Sequence, residues 1–144
     1  MIVPDVNLLV YAYNSDAPAH VAAREWWEDL LSGETPVRIP WAVCCGFVRL
    51  MTHPAVLVAP LSTEEAVAHV RSWLTQPNVE CQNPGPRHLD FLLLALRQAG
   101  VGGNLVTDAH IAAVAMELQA EVHSNDADFA RFPGLRWHNP LAPS

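Results

Sequence analysis

Lysine is absent from this 144-residue sequence, and all eight basic side chains are arginines. That excludes chemistry built on a lysine amine, including Schiff-base catalysis and the phosphate-loop lysine of nucleotide-binding enzymes. Cysteine is sparse as well. Cys44, Cys45 and Cys81 form no CxxC pair, and an odd number cannot close a complete intramolecular disulfide framework. Long apolar runs are missing: Phe91–Leu96 falls far short of a membrane span. The opening Met-Ile-Val-Pro-Asp has neither the basic segment nor the apolar stretch of a secretory signal. No repeat, linker or low-complexity segment interrupts the chain. The sequence is 51% hydrophobic with a mean hydropathy of +0.13, enough to build a packed core. The expectation is one domain over residues 1–144, cytoplasmic and without a membrane partner. Fifteen acids against eight bases leave a net charge of −7. Such a chain matches nucleic acid poorly, because that affinity comes mostly from phosphate neutralisation. The objection weakens if several acids gather around divalent cations.

Short apolar segments alternate with amphipathic ones. Met1–Pro4 reads as a strand and Val6–Tyr13 as a brief helix. Asp16-Ala17-Pro18 reads as a helix start, with Asp as cap and Pro in the first turn; that helix stops at Gly33. Val37–Pro40 is a second strand, and Trp41–Thr52 is helical until His53-Pro54. Ser62-Thr-Glu-Glu65 is a capping box, opening a helix with Ala66, Val67, Val70, Trp73 and Leu74 on one stripe. Val79 marks a third strand. Pro86 opens a helix with Leu89, Leu92, Leu93 and Leu96 inward, closed by Gly100. Another helix begins at Asp108, followed by a strand at Ala120–His123, a polar turn at Ser124–Asp128 and an edge strand at Leu135–Trp137. This alternation predicts parallel β-α-β crossovers. In open sheets of that kind the ligand site lies beyond the carboxyl ends of the strands.

Four acids sit at such ends or at the start of a helix. Asp5 follows the first strand, Asp126 and Asp128 follow the strand near 120–123, and Asp108 stands at a helix N-terminus. Taken singly, each has an ordinary use: Asp5 and Asp108 as helix caps, Asp126 in an Asx turn. Taken together, carboxylates on one rim repel unless they are protonated or bound to metal. An all-oxygen donor set selects hard ions, Mg²⁺ or Mn²⁺. A cation held by few protein ligands keeps waters, one of which can serve as nucleophile toward a phosphodiester. Seven histidines show no zinc-binding spacing, His110 reads as a surface or packing residue, and adjacent Cys44 and Cys45 read as buried small apolar groups.

The sequence resembles PIN domains of the VapC type, the ribonuclease toxins of bacterial toxin–antitoxin pairs. The likeness lies in Asp5-Val-Asn7, Phe47-Val-Arg49 ahead of Thr52-His53-Pro54, Asn104-Leu-Val-Thr-Asp108-Ala-His110, Ser124-Asn-Asp126-Ala-Asp128-Phe129, and the tail Phe132-Pro-Gly-Leu-Arg-Trp137 with Asn139-Pro140. It implies a three-layer α/β/α fold with a four- or five-stranded parallel sheet, and metal-dependent endonucleolytic cleavage of RNA. Carried over residue by residue, Asp5, Asp108 and Asp126 are core ligands of Mg²⁺ or Mn²⁺ and Asp128 is peripheral or water-mediated. Asn7 and Ser124 orient those carboxylates, with Arg49 as a further orienting group toward substrate.

One departure stands out. The family pattern has Glu immediately before Phe-Val-Arg, and this chain has Gly46. A mid-helix glycine costs up to about 1 kcal/mol relative to alanine, and here it also removes a carboxylate. The resemblance with this vacancy implies reduced activity. The alternative is a PIN-like module that binds antitoxin or RNA without cutting. The absence of lysine argues against a response-regulator receiver, and Asp5-Val6-Asn7 lacks the second Asp of a haloacid-dehalogenase phosphatase. Trp26, Trp27, Leu30, Leu31, Phe47, Leu50 and Met51 either fill the core or form a partner surface. The resemblance implies a homodimer and a cognate VapB-type antitoxin whose tail covers the acidic pocket.

Overall fold

The computed structural model describes residues 1–100 and 105–143. Five strands, β1 (Ile2–Pro4), β2 (Val37–Pro40), β3 (Val79–Gln82), β4 (Glu121–His123) and β5 (Arg136–His138), form one sheet in the order β3-β2-β1-β4-β5. All four pairings are parallel, with Ile2 opposite Val37 and Glu121, and Ile39 opposite Cys81. The helices are α1 (Val6–Tyr13), α2 (His20–Ser32), α3 (Trp41–Met51), α4 (Thr63–Leu74), α5 (His88–Ala99) and α6 (Val106–Leu118), with a 3₁₀ turn at Ala127–Arg131. They pack as two groups: α1 touches α2 and α3, α3 touches α4, and α5 lies along α6. Right-handed crossovers place these groups on opposite faces of the sheet, a three-layer α/β/α arrangement.

The core begins with the strands. Val3, Val37, Ile39 and Val122 are fully buried, as expected of a parallel sheet covered on both faces. On one side an aromatic cluster fills the space between helices. Phe47 of α3 meets Trp73 of α4 edge-on at 4.7 Å and Tyr13 of α1 at 5.5 Å, and Trp73 stacks edge-on against Trp27 at 5.4 Å. The Trp73 indole N–H donates to the Tyr13 hydroxyl at 2.7 Å. Trp27, Phe47 and Met51 therefore belong to the core. Trp26 is half-buried, its indole N–H donating to His123 Nδ1 at 3.0 Å. On the other side α6 is buried nearly all round through Ala109, Ile111, Ala112, Ala113, Val114 and Ala115, small residues that let its neighbours approach closely.

The capping box forms as read: Ser62 Oγ accepts from Glu65 N–H at 3.1 Å, and Glu65 Oε1 accepts from Ser62 N–H at 3.3 Å. Four local expectations are corrected. Helix α2 starts at His20 rather than at Pro18, because Asn14 Oδ1 captures the Asp16 N–H and turns the chain first. Cys44 is buried but Cys45 is exposed. Val67 and Leu74 lie at the exposed edge of the α4 stripe. Helix α5 packs through His88, Leu92, Ala95, Leu96 and Ala99, which leaves Leu89 75% exposed and Leu93 48% exposed. The cause is an anchor from α6: the Glu117 carboxylate accepts from Gly85 N–H (3.1 Å) and Arg87 N–H (2.9 Å), fixing where α5 begins and how it is rotated. A Cβ at Gly85 would run into that carboxylate.

Phe47→Ala is expected to destabilise the fold by about 3–5 kcal/mol, the usual cost of emptying a large aromatic site. Urea unfolding followed by tryptophan fluorescence measures it, and a loss below about 1 kcal/mol would contradict the packing described.

Candidate metal centre

Because all five strands run the same way, the residues that follow β1 and β4 emerge at one edge. Asp5 leaves β1 and caps α1, its Oδ1 accepting from Val6 N–H at 2.8 Å. Its other oxygen, Oδ2, accepts from the Ser124 hydroxyl at 2.8 Å. Ser124 leaves β4, is wholly buried, and its oxygen accepts in turn from Asp126 N–H at 3.0 Å. Asp126 caps the 3₁₀ turn through Oδ1, which accepts from Asp128 N–H at 2.9 Å. One chain of hydrogen bonds thus links Asp5, Ser124, Asp126 and Asp128. Asp108 arrives from the opposite direction, in the first turn of α6, where the positive helix end favours a carboxylate. It makes no capping bond, and among the described residues no hydrogen bond occupies either of its oxygens.

Asp108, Asp126 and Asp128 each offer a carboxylate oxygen within 4.8 Å of the others. Asp5, only 4% exposed, lies beside them with Asp108 and Asp126 on the wall of a cavity of about 300 Å³. Asn7, Gly46 and Arg49 line the same cavity, so α1, α3, α6 and the β4 turn all contribute to it. Thr107 lines it too, a polar neighbour that the sequence reading passed over although it immediately precedes Asp108. Asn104 of the same motif lies outside the described residues. Asp128 is the outermost acid and pairs loosely with Arg131 at 3.7 Å.

The electrostatics follow from crowding. Burial, then the negative charges of Asp126, Asp5 and Asp128, push the Asp108 carboxyl up to about 7. Asp5 is also raised, chiefly by burial and further by Asp126, while the hydrogen bonds from Ser124 and Val6 pull the other way. Carboxylates held this close gain most from a positive partner. The donor set is all oxygen, three of its members reach one point, and the cavity is open to water. These residues fit a hard divalent cation, and among the described residues none lining the cavity is a His or Cys that would favour a softer one. A methyl group built on Gly46 would meet Val6 Cγ2 at 3.4 Å, ordinary contact, so packing does not require glycine there.

An α/β/α sheet with clustered carboxylates at its carboxyl edge defines a class of acidic-pocket domains. The PIN domain profile matches residues 2–135, and the chain belongs to that family. It is 47% identical over 141 residues to Ribonuclease VapC33 of Mycobacterium tuberculosis (strain ATCC 25618 / H37Rv), covering 98% of this chain and 99% of that protein. Among solved structures, VapBC2 from Rickettsia felis bound to a DNA fragment from its promoter superposes with a TM-score of 0.69 at 22% identity, over 96% of this chain and 98% of the other. Mycobacterium tuberculosis VapC20, described as a sarcin-ricin loop cleaving toxin, gives a TM-score of 0.69 at 17% identity, over 94% and 99%. The last two likenesses carry the fold.

The raised Asp108 carboxyl has a measurable consequence. Between 3.8 and about 7 the folded chain holds a proton that the unfolded chain has released, so metal-free stability falls as pH rises through that window. Asp108→Asn is expected to remove that slope and to raise stability at pH 8 by roughly 1 kcal/mol, a figure discounted for half-exposure. Chemical denaturation at pH 5 and pH 8 with chelator present tests it; an unchanged slope in the variant would disprove the crowding.

Proposed function

We propose that this chain is a Mg²⁺- or Mn²⁺-dependent endoribonuclease, the toxin of a cytoplasmic toxin–antitoxin pair, working as a homodimer and silenced by a cognate VapB-type antitoxin. The observation that carries the reading is the convergence of Asp108, Asp126 and Asp128 on one point beside Asp5, in a PIN domain 47% identical to a ribonuclease. Asp5, Asp108 and Asp126 are the residues that would hold the ion, with Asp128, whose carboxylate lies within 4.8 Å of those of Asp108 and Asp126, as a peripheral or water-mediated partner. When bound, the ion supplies an acidified water and a counter-charge for the scissile phosphate. The protein's own groups do the rest. Ser124 fixes the orientation of Asp5 and, through the Asp126 amide, the start of the 3₁₀ turn that presents Asp126 and Asp128. Asp108, poised near neutrality, can hold or release a proton at its carboxylate. Arg49, one turn beyond Gly46 on the cavity wall, offers a cation to the RNA backbone, and Asn7 a neutral amide.

The net charge of −7 is then consistent with an RNA enzyme, because the site's own acids count toward it and a bound divalent ion would offset part of their charge locally. The same acidity suits an antitoxin tail that inserts a basic side chain among the carboxylates.

Gly46 sets the level of activity in this reading. The family pattern places Glu there, a Cβ at that position makes only ordinary contact with Val6, and no acid lies one helical turn away to replace it. The chain as written is therefore a weaker nuclease than its Gly46→Glu variant. A second reading rests on the same vacancy: a module that binds antitoxin or RNA without cutting.

Cleavage of a total-RNA pool with Mg²⁺ or Mn²⁺ separates the two. Expected are cutting by the parent chain, faster cutting by Gly46→Glu, arrest by EDTA, and a loss of about 100-fold or more in Asp5→Asn. Equal rates for parent and Gly46→Glu would remove position 46 from the account. No cutting by either would favour the binding module.

A second prediction concerns affinity for the ion. Mn²⁺ titrated calorimetrically should bind more tightly at pH 8 than at pH 6, because at the lower pH it must displace the Asp108 proton. Affinity independent of pH would place the ion elsewhere.

A further inference from the structure

Two thiols outside the acidic cavity lie in contact. Cys44 Sγ, buried on α3, is 3.5 Å from Cys81 Sγ on the edge strand β3. Cys81 is partly exposed, whereas Cys45, next to Cys44 on α3, is exposed and turned about 100° away around the helix. We propose that Cys44 and Cys81 are a reversible redox pair, closed by a peroxide into an intramolecular disulfide that ties α3 to β3.

The two sulfurs have to approach by roughly 1.5 Å to reach bonding distance, a movement within reach of side-chain rotation. Cys81 is the thiol an oxidant reaches first. Its thiolate attacks one peroxide oxygen, the O–O bond breaks, and a sulfenic acid and one water result. The Cys44 thiolate then attacks Cys81 Sγ; the S–S bond forms, the S–O bond breaks, and the departing hydroxide leaves as a second water with the Cys44 proton. Two thiols lose two electrons and the peroxide gains them. Burial makes both thiols weaker acids than usual, so the reaction is slow at neutral pH and accelerates with pH.

The location gives the bond a consequence. Helix α3 carries Gly46 and Arg49 into the acidic cavity. The same helix lines, with Cys44, Cys45 and Trp41, an apolar groove of about 440 Å³ against Val67 and Val70 of α4. A covalent tie from Cys44 to the sheet edge fixes the helix shared by both surfaces. In a reducing compartment the pair rests as thiols and responds only to an oxidant.

The test uses the full chain and its Cys45→Ser variant, treated with hydrogen peroxide, unfolded, alkylated and weighed by mass spectrometry. Expected in both is the loss of two hydrogens, a proteolytic peptide joining positions 44 and 81, full reversal by dithiothreitol, and a melting temperature a few degrees higher. Cys81→Ser should lose all four responses. The proposal fails if the Cys45→Ser chain keeps both thiols open to alkylation after unfolding. It also fails if the chain gains oxygen without a joined peptide, or if the only cross-links formed run between chains through Cys45.

Discussion

The structure depends on mutual repulsion among carboxylates that the fold does not allow to separate. Asp5 through its carboxylate and Asp126 through its backbone N–H are tied to one buried hydroxyl, Ser124, and Asp108 meets them from the first turn of a helix that is buried along most of its length. Water would normally screen such charges apart. Here burial and close approach leave protonation or a cation as the two ways to relieve them. Asp108, held near neutrality, shows the first in the metal-free chain.

The ordinary and the chemical uses of these acids turn out to be compatible. Asp5 does cap α1, and Asp126 does form an Asx-type cap on the 3₁₀ turn. In Asp126 the capping bond occupies a single oxygen and sets the plane of the carboxylate, which leaves the second oxygen aimed rather than free to rotate. A cap is thus a way to orient a ligand, and the choice posed between cap and ligand was not exclusive. Asp108, with no capping bond, is the acid whose charge is least compensated by hydrogen bonds, and it is the one raised furthest.

The legible part of the sequence was what depends on local order. Strand and helix alternation, the capping box at Ser62, and the placing of acids just past β1 and β4 all came from neighbours within a few residues. Where the reading failed, a distant partner decided. Leu89 and Leu93 looked inward by spacing alone, but Glu117 of α6 seizes the Gly85 and Arg87 amides and rotates α5 so that His88 and Ala95 are buried instead. Asn14 likewise diverts the chain before α2 by a bond that spacing does not announce. At the site, the four aspartates, Asn7, Ser124, Arg49 and Gly46 could be named from motifs. That Ser124 would bridge Asp5 and Asp126, and that Thr107 would join the wall, required the sheet.

The bond between Ser124 and Asp5 spans 119 positions of sequence, and the outer carboxylate comes four residues later still. Strand β1 is an interior member of the sheet, and it gains its second neighbour only when β4 is made, long after β2. During synthesis the acidic cavity therefore cannot exist on a partly emerged chain: until residues past Asp128 have left the ribosome, Asp5 lacks the carboxylates that share its cavity. The cluster is thus a property of the whole span from Asp5 to Asp128 and of no shorter segment within it.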